Sequence, residues 1–141
     1  MKLQKNTLFG LYSVLESASR PERQISTGEI ARRYGVSPHH LAKVLRTLGR
    51  AGLVESVRGV GGGYRFSGNA KRLTLMDVIA LFENISAPGR DGARRRRRGP
   101  AGVDRALGTV LSEIDEIAQA TFRSITIATM LKLIERQVSS R

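Results

Sequence analysis

The chain has 141 residues, with 24 Lys and Arg against 12 Asp and Glu, and no Cys. That length suits one domain with a modest core. A formal charge of +12 points to a polyanionic partner, nucleic acid or an anionic membrane surface, without specifying a fold. The missing Cys exclude disulfides, thiolate zinc sites, Cys-held iron–sulfur clusters and Cys nucleophiles.

The charge is unevenly spread. Residues 1–68 carry eleven Lys and Arg against four Asp and Glu; residues 69–141 carry thirteen against eight, and Arg90 with Arg94–Arg98 supplies six of those thirteen. The N-terminal half is thus the basic body, and the Arg run is a separate feature. Polar residues interrupt the apolar run after Lys2 and Lys5, so no secretory signal is read. No stretch approaches the length of a membrane span. A cytoplasmic protein without membrane attachment is expected.

In chain order, Leu8, Leu11, Tyr12, Val14, Leu15 and Ala18 have helical spacing over residues 3–18, and Pro21 breaks the pattern. Ser26 and Glu29 have capping-box spacing, with Ile25 and Ile30 as the hydrophobic staple, and Gly35 ends that helix after Tyr34. The start signal repeats at once: Ser37 is an N-cap, Pro38 suits the first helical position, and Val36 staples Leu41. Helix, short Gly turn, helix is the arithmetic of a helix-turn-helix. The second helix buries Leu41, Val44, Leu45 and Leu48 and closes near Gly52.

"LVESV" and "YRF" read as strands around the tip "RGVGGG", a two-stranded hairpin placed as a wing. Thr74 caps a further helix, with Leu73 and Val78 as its staple, running to about Ile85. Residues 86–102 lack apolar periodicity and read as a mobile, Arg-rich loop. The longest helix follows, over about 101–123. Val103, Leu107, Val110, Ile114, Ile117 and Thr121 step by four and three along it, and Leu111, Ala118 and Phe122 widen the seam. A last helix starts at Thr126 and ends near Gln137. The reading is a mainly α fold in three parts: a winged helix-turn-helix domain over 1–85, the loop over 86–102, and a dimerisation helix with a short final helix over 103–141.

The second helix of the helix-turn-helix fits a major groove. Its N-terminal residues Ser37, His39, His40 and Lys43 are candidates for base edges, and Arg46, Thr47 and Arg50 for phosphates. In the hairpin, Gly61 and Gly62 permit positive φ and close approach to another backbone. Arg58 is the cation aimed at a narrow minor groove, while Tyr64 and Arg65 hold the strand or meet phosphate. His39 and His40 lie about 100° apart on a helix and have no nearby third ligand, so no metal and no cofactor is expected.

"MKLQKNTLFGLYSVLESA", "GVSPHHLAKVLRTLGRAGLVESVRGVGGGYRF" and "LTLMDVIALFE" resemble the Rrf2 family of bacterial winged-helix transcription regulators. The resemblance covers about 1–85 and resumes at 103–134. It implies a homodimer on a palindromic operator, most often a repressor, with wings in the minor groove and recognition helices in the major groove. Many members hold an iron–sulfur cluster on three Cys before the dimerisation helix. By this resemblance the last ligand Cys falls near Gly102 and a further ligand of some relatives near Arg105, neither of which ligates iron, so this is read as a Cys-less member.

For the apolar seam, Val103, Leu107, Val110, Leu111, Ile114, Ile117 and Phe122 are the expected dimer contacts, in an antiparallel or crossed pair about a two-fold axis. Arg94–Arg98 reads either as a solvated loop or as added phosphate or acidic-partner contacts. With Cys absent, a small-molecule effector or a partner protein would supply any signal. No catalytic arrangement is found, so no enzyme is expected. Aromatic platforms for splayed RNA bases are missing. The alternative is a protein-interaction module whose basic loop docks an acidic partner, with weak non-specific DNA binding.

Overall fold

The structure, a computed structural model, describes residues 3–58, 62–83 and 100–140. Its elements are α1 (Lys5–Ser19), α2 (Thr27–Tyr34), α3 (Pro38–Arg50), β1 (Val54–Val57), β2 (Gly63–Phe66), α4 (Leu75–Ile79), α5 (Ala101–Ser124) and α6 (Ile127–Ser139).

Helix α1 buries a face of small residues: Thr7, Gly10, Ser13, Val14, Ser17 and Ala18. Of the apolar positions expected there, Leu8, Leu11, Tyr12 and Leu15 are only half-buried. Small residues let neighbouring helices come close. The buried hydroxyls donate back along the helix, Ser13 to the Phe9 carbonyl at 2.8 Å and Ser17 to that of Ser13 at 2.8 Å. Their burial therefore leaves no donor unpaired.

The caps of the helix-turn-helix form as local chemistry dictates. The Ser26 hydroxyl accepts from the Glu29 amide at 3.1 Å, and Gly35 ends α2 in the left-handed region at φ 65°. The Glu29 carboxylate meets Arg23 at 3.4 Å instead of closing the capping box. Ser37 caps α3 through the His40 amide at 3.3 Å, with Pro38 in the first turn. Leu41, Leu45 and Leu48, each at most 1% exposed, pin α3 to the core beside Val14, Ile30 and Val54.

The hairpin is antiparallel, from Val54 opposite Phe66 to Val57 opposite Gly63. Ile25 extends it as a one-residue bridge to Tyr64. Helix α4 has a complete capping box: the Asp77 amide donates to Thr74 Oγ1 at 3.1 Å and the Thr74 amide to Asp77 Oδ2 at 2.9 Å. It ends at Ile79, short of the expected Ile85. The Leu81 and Phe82 amides turn to the carbonyls three residues back, both at 3.1 Å, which tightens the chain and swings Phe82 and Glu83 onto α1.

Helix α5 has no buried residue along its 24 positions. The chain then returns to the α1–α4 core. The Leu75 amide bonds the Ile125 carbonyl at 2.9 Å, the Ile127 amide bonds that of Leu73 at 2.8 Å, and Ile127 is fully buried. The first turn of α6 is thus packed into the same core as the helix-turn-helix.

Candidate nucleic-acid interface

Because α3 buries Leu41, Val44, Leu45 and Leu48, its opposite side faces solvent. Exposed there are His39, Lys43, Arg46 and Arg50, spaced four, three and four apart on one stripe, with Ser37 exposed at its head. Thr47 is half-buried, and its hydroxyl donates to the Lys43 carbonyl at 3.2 Å.

His40 departs from that group. Its Nε2 donates to Asn6 Oδ1 on α1, and its ring stands edge-on to Phe9 with centroids 5.6 Å apart. The expected set therefore divides. Ser37, His39, Lys43, Arg46 and Arg50 share an outward surface, whereas His40 seats the start of α3 against α1.

The hairpin glycines have structural work within the chain itself. Gly62 sits at φ 49°, where an L side chain is strained. A Cβ on Gly63 would lie 2.7 Å from the Ile25 carbonyl oxygen, so only glycine lets β2 approach the segment between α1 and α2 this closely. Gly61 lies outside the described residues. Tyr64 anchors the hairpin: the Ile25 amide donates to its carbonyl at 2.8 Å, and its own amide donates to the Ile25 carbonyl at 2.9 Å. Arg65 is held by Glu55 across the hairpin at 3.0 Å. Arg58 is exposed at the end of β1, and no carboxylate among the described residues pairs with it.

A polar clamp sets the angle of α2 on α1. Glu16 accepts from Arg33 at 2.7 Å and from the Tyr34 hydroxyl at 2.6 Å, and Tyr34 stacks on Tyr12 with centroids 4.5 Å apart. Burial pushes the Glu16 carboxyl up, but the Tyr34 and Arg33 hydrogen bonds and the charges of Arg33 and Arg20 outweigh it, leaving its pKa below the ordinary carboxylate range. Burial and the adjacent Glu16 hold the Tyr34 phenol protonated well above its usual range.

On α5, Val103, Leu107, Val110, Leu111, Ile114 and Ile117 are exposed, from 48% at Ile114 to 67% at Ile117. Phe122, expected with them, is half-buried against its own subunit's core. Leu133, Ile134 and Val138 of α6 are also exposed. Arg94–Arg98 lie outside the described residues.

A helix-turn-helix followed by a two-stranded wing defines the class of winged-helix DNA-binding regulators. The chain belongs to the Rrf2 family: the model of that family, described as an iron-dependent transcriptional regulator, matches residues 3–133. BadM of Rhodopseudomonas palustris, named as an HTH-type transcriptional regulator, is 53% identical over 137 residues, which cover 97% of this chain and 85% of BadM. The structure of T. potens IscR is similar with a TM-score of 0.75 and 26% identity, over 97% of this chain and 90% of that one. That of B. subtilis CymR, titled the global cysteine regulator, is similar with a TM-score of 0.71 and 25% identity, over 94% of this chain and 98% of that one. Family membership places the protein among transcription regulators and not among enzymes.

Iron dependence in the family description does not carry over to an obvious donor set. The chain has no thiolate to offer. Gly102 and Arg105 stand exposed in the first turns of α5 and offer iron no ligand, and no group of three His, Asp or Glu gathers among the described residues. These residues do not fit an iron–sulfur cluster. No described helix is long and apolar enough to cross a membrane.

Proposed function

We propose that the protein is a homodimeric, sequence-specific DNA-binding regulator that represses from a palindromic operator without an iron–sulfur cluster. One observation carries the dimer: α5 leaves six large aliphatic side chains in water along one seam. A contiguous apolar surface of that kind marks an interaction site. A second copy is the occupant that also gives a two-fold axis, and C2 pairing is the commonest assembly. The seam pairs α5 with its twin, antiparallel or crossed, and sets the separation of the two recognition helices. Phe122 contributes by bracing α5 on its own subunit.

On each subunit Ser37, His39 and Lys43 meet base edges in the major groove, and Arg46 and Arg50 meet phosphates, with Thr47 beside them. Arg58 enters the adjacent minor groove. Gly62, Tyr64 and Arg65 build and hold the wing. Residues 1–85 supply the DNA-binding unit, completed by the first turn of α6, and residues 103–141 otherwise supply the dimer spine. A cavity of about 390 Å³ between α1, α2 and α6, lined by Tyr12, Glu16, Arg33 and Ile134 among others, has room for a small effector. The site of action is the cytoplasm.

Titrating palindromic and scrambled duplexes at two salt concentrations tests the reading. A component of affinity that follows sequence supports it. Binding that is salt-sensitive and blind to sequence would replace it with the interaction-module reading.

A further inference from the structure

The geometry points to the first two turns of α1 as a positioning element that ties the seat of the recognition helix to the exit of α4. This rests on α3 being the DNA-reading helix, as proposed above. Asn6 and Phe9 hold His40, one by a hydrogen bond and one by an edge-on aromatic contact. Thr7 and Gly10 hold the α4 exit. The Thr7 hydroxyl donates to Glu83 Oε2 at 2.6 Å, and Phe82 lies so near Gly10 that a Cβ there would overlap its ring.

The pairs 6/9 and 7/10 are each spaced three apart, so they form two adjoining ridges of one helix. Two turns of helix move as a unit, and a displacement that follows one seat is imposed on the other. The Thr7–Glu83 bond is stiff for its size: Thr7 is fully buried, and the acceptor is a carboxylate. His40 stands three residues before Lys43 and three after the cap Ser37. Tilting α3 at His40 therefore re-aims Ser37, His39 and Lys43 together. Asn6, Thr7 and Phe9 are positioning residues, because none of them shares the outward stripe.

Thr7→Val removes the hydroxyl and keeps the volume. In the free protein, amide exchange at Leu41, Ala42 and Lys43 is expected to quicken about three- to tenfold, the scale of one net hydrogen bond. Exchange at Ile30 and Ala31 of α2 stays as it was. In a His40→Ala background the same substitution leaves the α3 rates unchanged, because the link is already cut. Unchanged α3 exchange in Thr7→Val, or an equal quickening with and without His40, would overturn the inference. If Thr7→Val does not fold by circular dichroism, Glu83→Leu breaks the same bond from its half-buried acceptor side and is judged by the same outcomes. On DNA, Thr7→Val lowers the ratio of palindrome to scrambled affinity and leaves the scrambled affinity alone. A wild-type protein that shows no palindrome preference sinks the DNA reading, while the exchange data still decide the coupling.

Discussion

Ile25 and Tyr64 exchange two backbone hydrogen bonds, at 2.8 and 2.9 Å, across a segment that lies between α1 and α2. The wing is thereby part of the helix-turn-helix and not a free appendage. Gly63 makes the approach possible, since its neighbour is a backbone oxygen that cannot move aside. Gly63→Ala is expected to destabilise the fold by about 1–3 kcal/mol, as overpacking does. It also weakens DNA binding beyond that loss by unseating the hairpin. Thermal unfolding and a binding titration on the same variant check both.

The Glu16 clamp predicts an acid limb. Its carboxyl is depressed in the folded state relative to the ordinary value of 4.5. A depressed carboxyl contributes stability that is fully present above its unfolded pKa and is lost as pH falls through the folded one. Stability should therefore drop from about pH 4.5 downward. Glu16→Gln removes that share of the drop and, at neutral pH, costs on the order of 1 kcal/mol through the Arg33 and Tyr34 bonds. Denaturant midpoints at pH 7 and pH 4 measure the difference. A slope against pH identical in the two proteins would show that Glu16 is not the group responsible.

Lys43 and Arg58 should fail in different ways. Lys43→Ala is expected to cost about 1–3 kcal/mol at one base position and to relax preference there. Arg58→Ala should cost affinity mainly where an A·T-rich minor groove lies under the wing. Affinity measured on operators that differ only in those positions separates the two. Equal loss on every sequence would make either residue a plain phosphate contact.

Caps and turns could be read in advance because they are decided within a few residues: Ser26, Gly35, Ser37 and Thr74 act on their own helices. What depended on distant packing could not. The short α4 follows from Phe82 finding Gly10, more than seventy positions away in the chain. Thr7, Ser13 and Ser17 stand outside the apolar pattern of α1, yet they are buried, with their hydroxyls satisfied along α1 and at Glu83. His39 and His40 are neighbours in sequence but separate in role, and only the path of α1 decides which ring faces Asn6. The closeness of Ile25 to Gly63 carried no local signal beyond the glycine itself.

The run Arg94–Arg98 carries a prediction from charge alone. If it neutralises phosphates, replacing its five Arg with Ser flattens the log–log salt slope by roughly 0.9 for each phosphate no longer neutralised. The preferred sequence stays the same. Binding isotherms at four salt concentrations give the slope, and an unchanged slope assigns the run to solvent.

The pairing of two copies through α5 is tested most directly by sedimentation equilibrium with and without a palindromic duplex. The wild-type protein is expected at twice the 15.4 kDa of one chain, with two chains on each duplex. Leu111→Glu together with Ile114→Glu is expected to give a folded single chain whose palindrome preference is gone. A wild-type protein that stays a single chain at micromolar concentration, or a double variant that sediments and binds as the wild type does, would contradict the account.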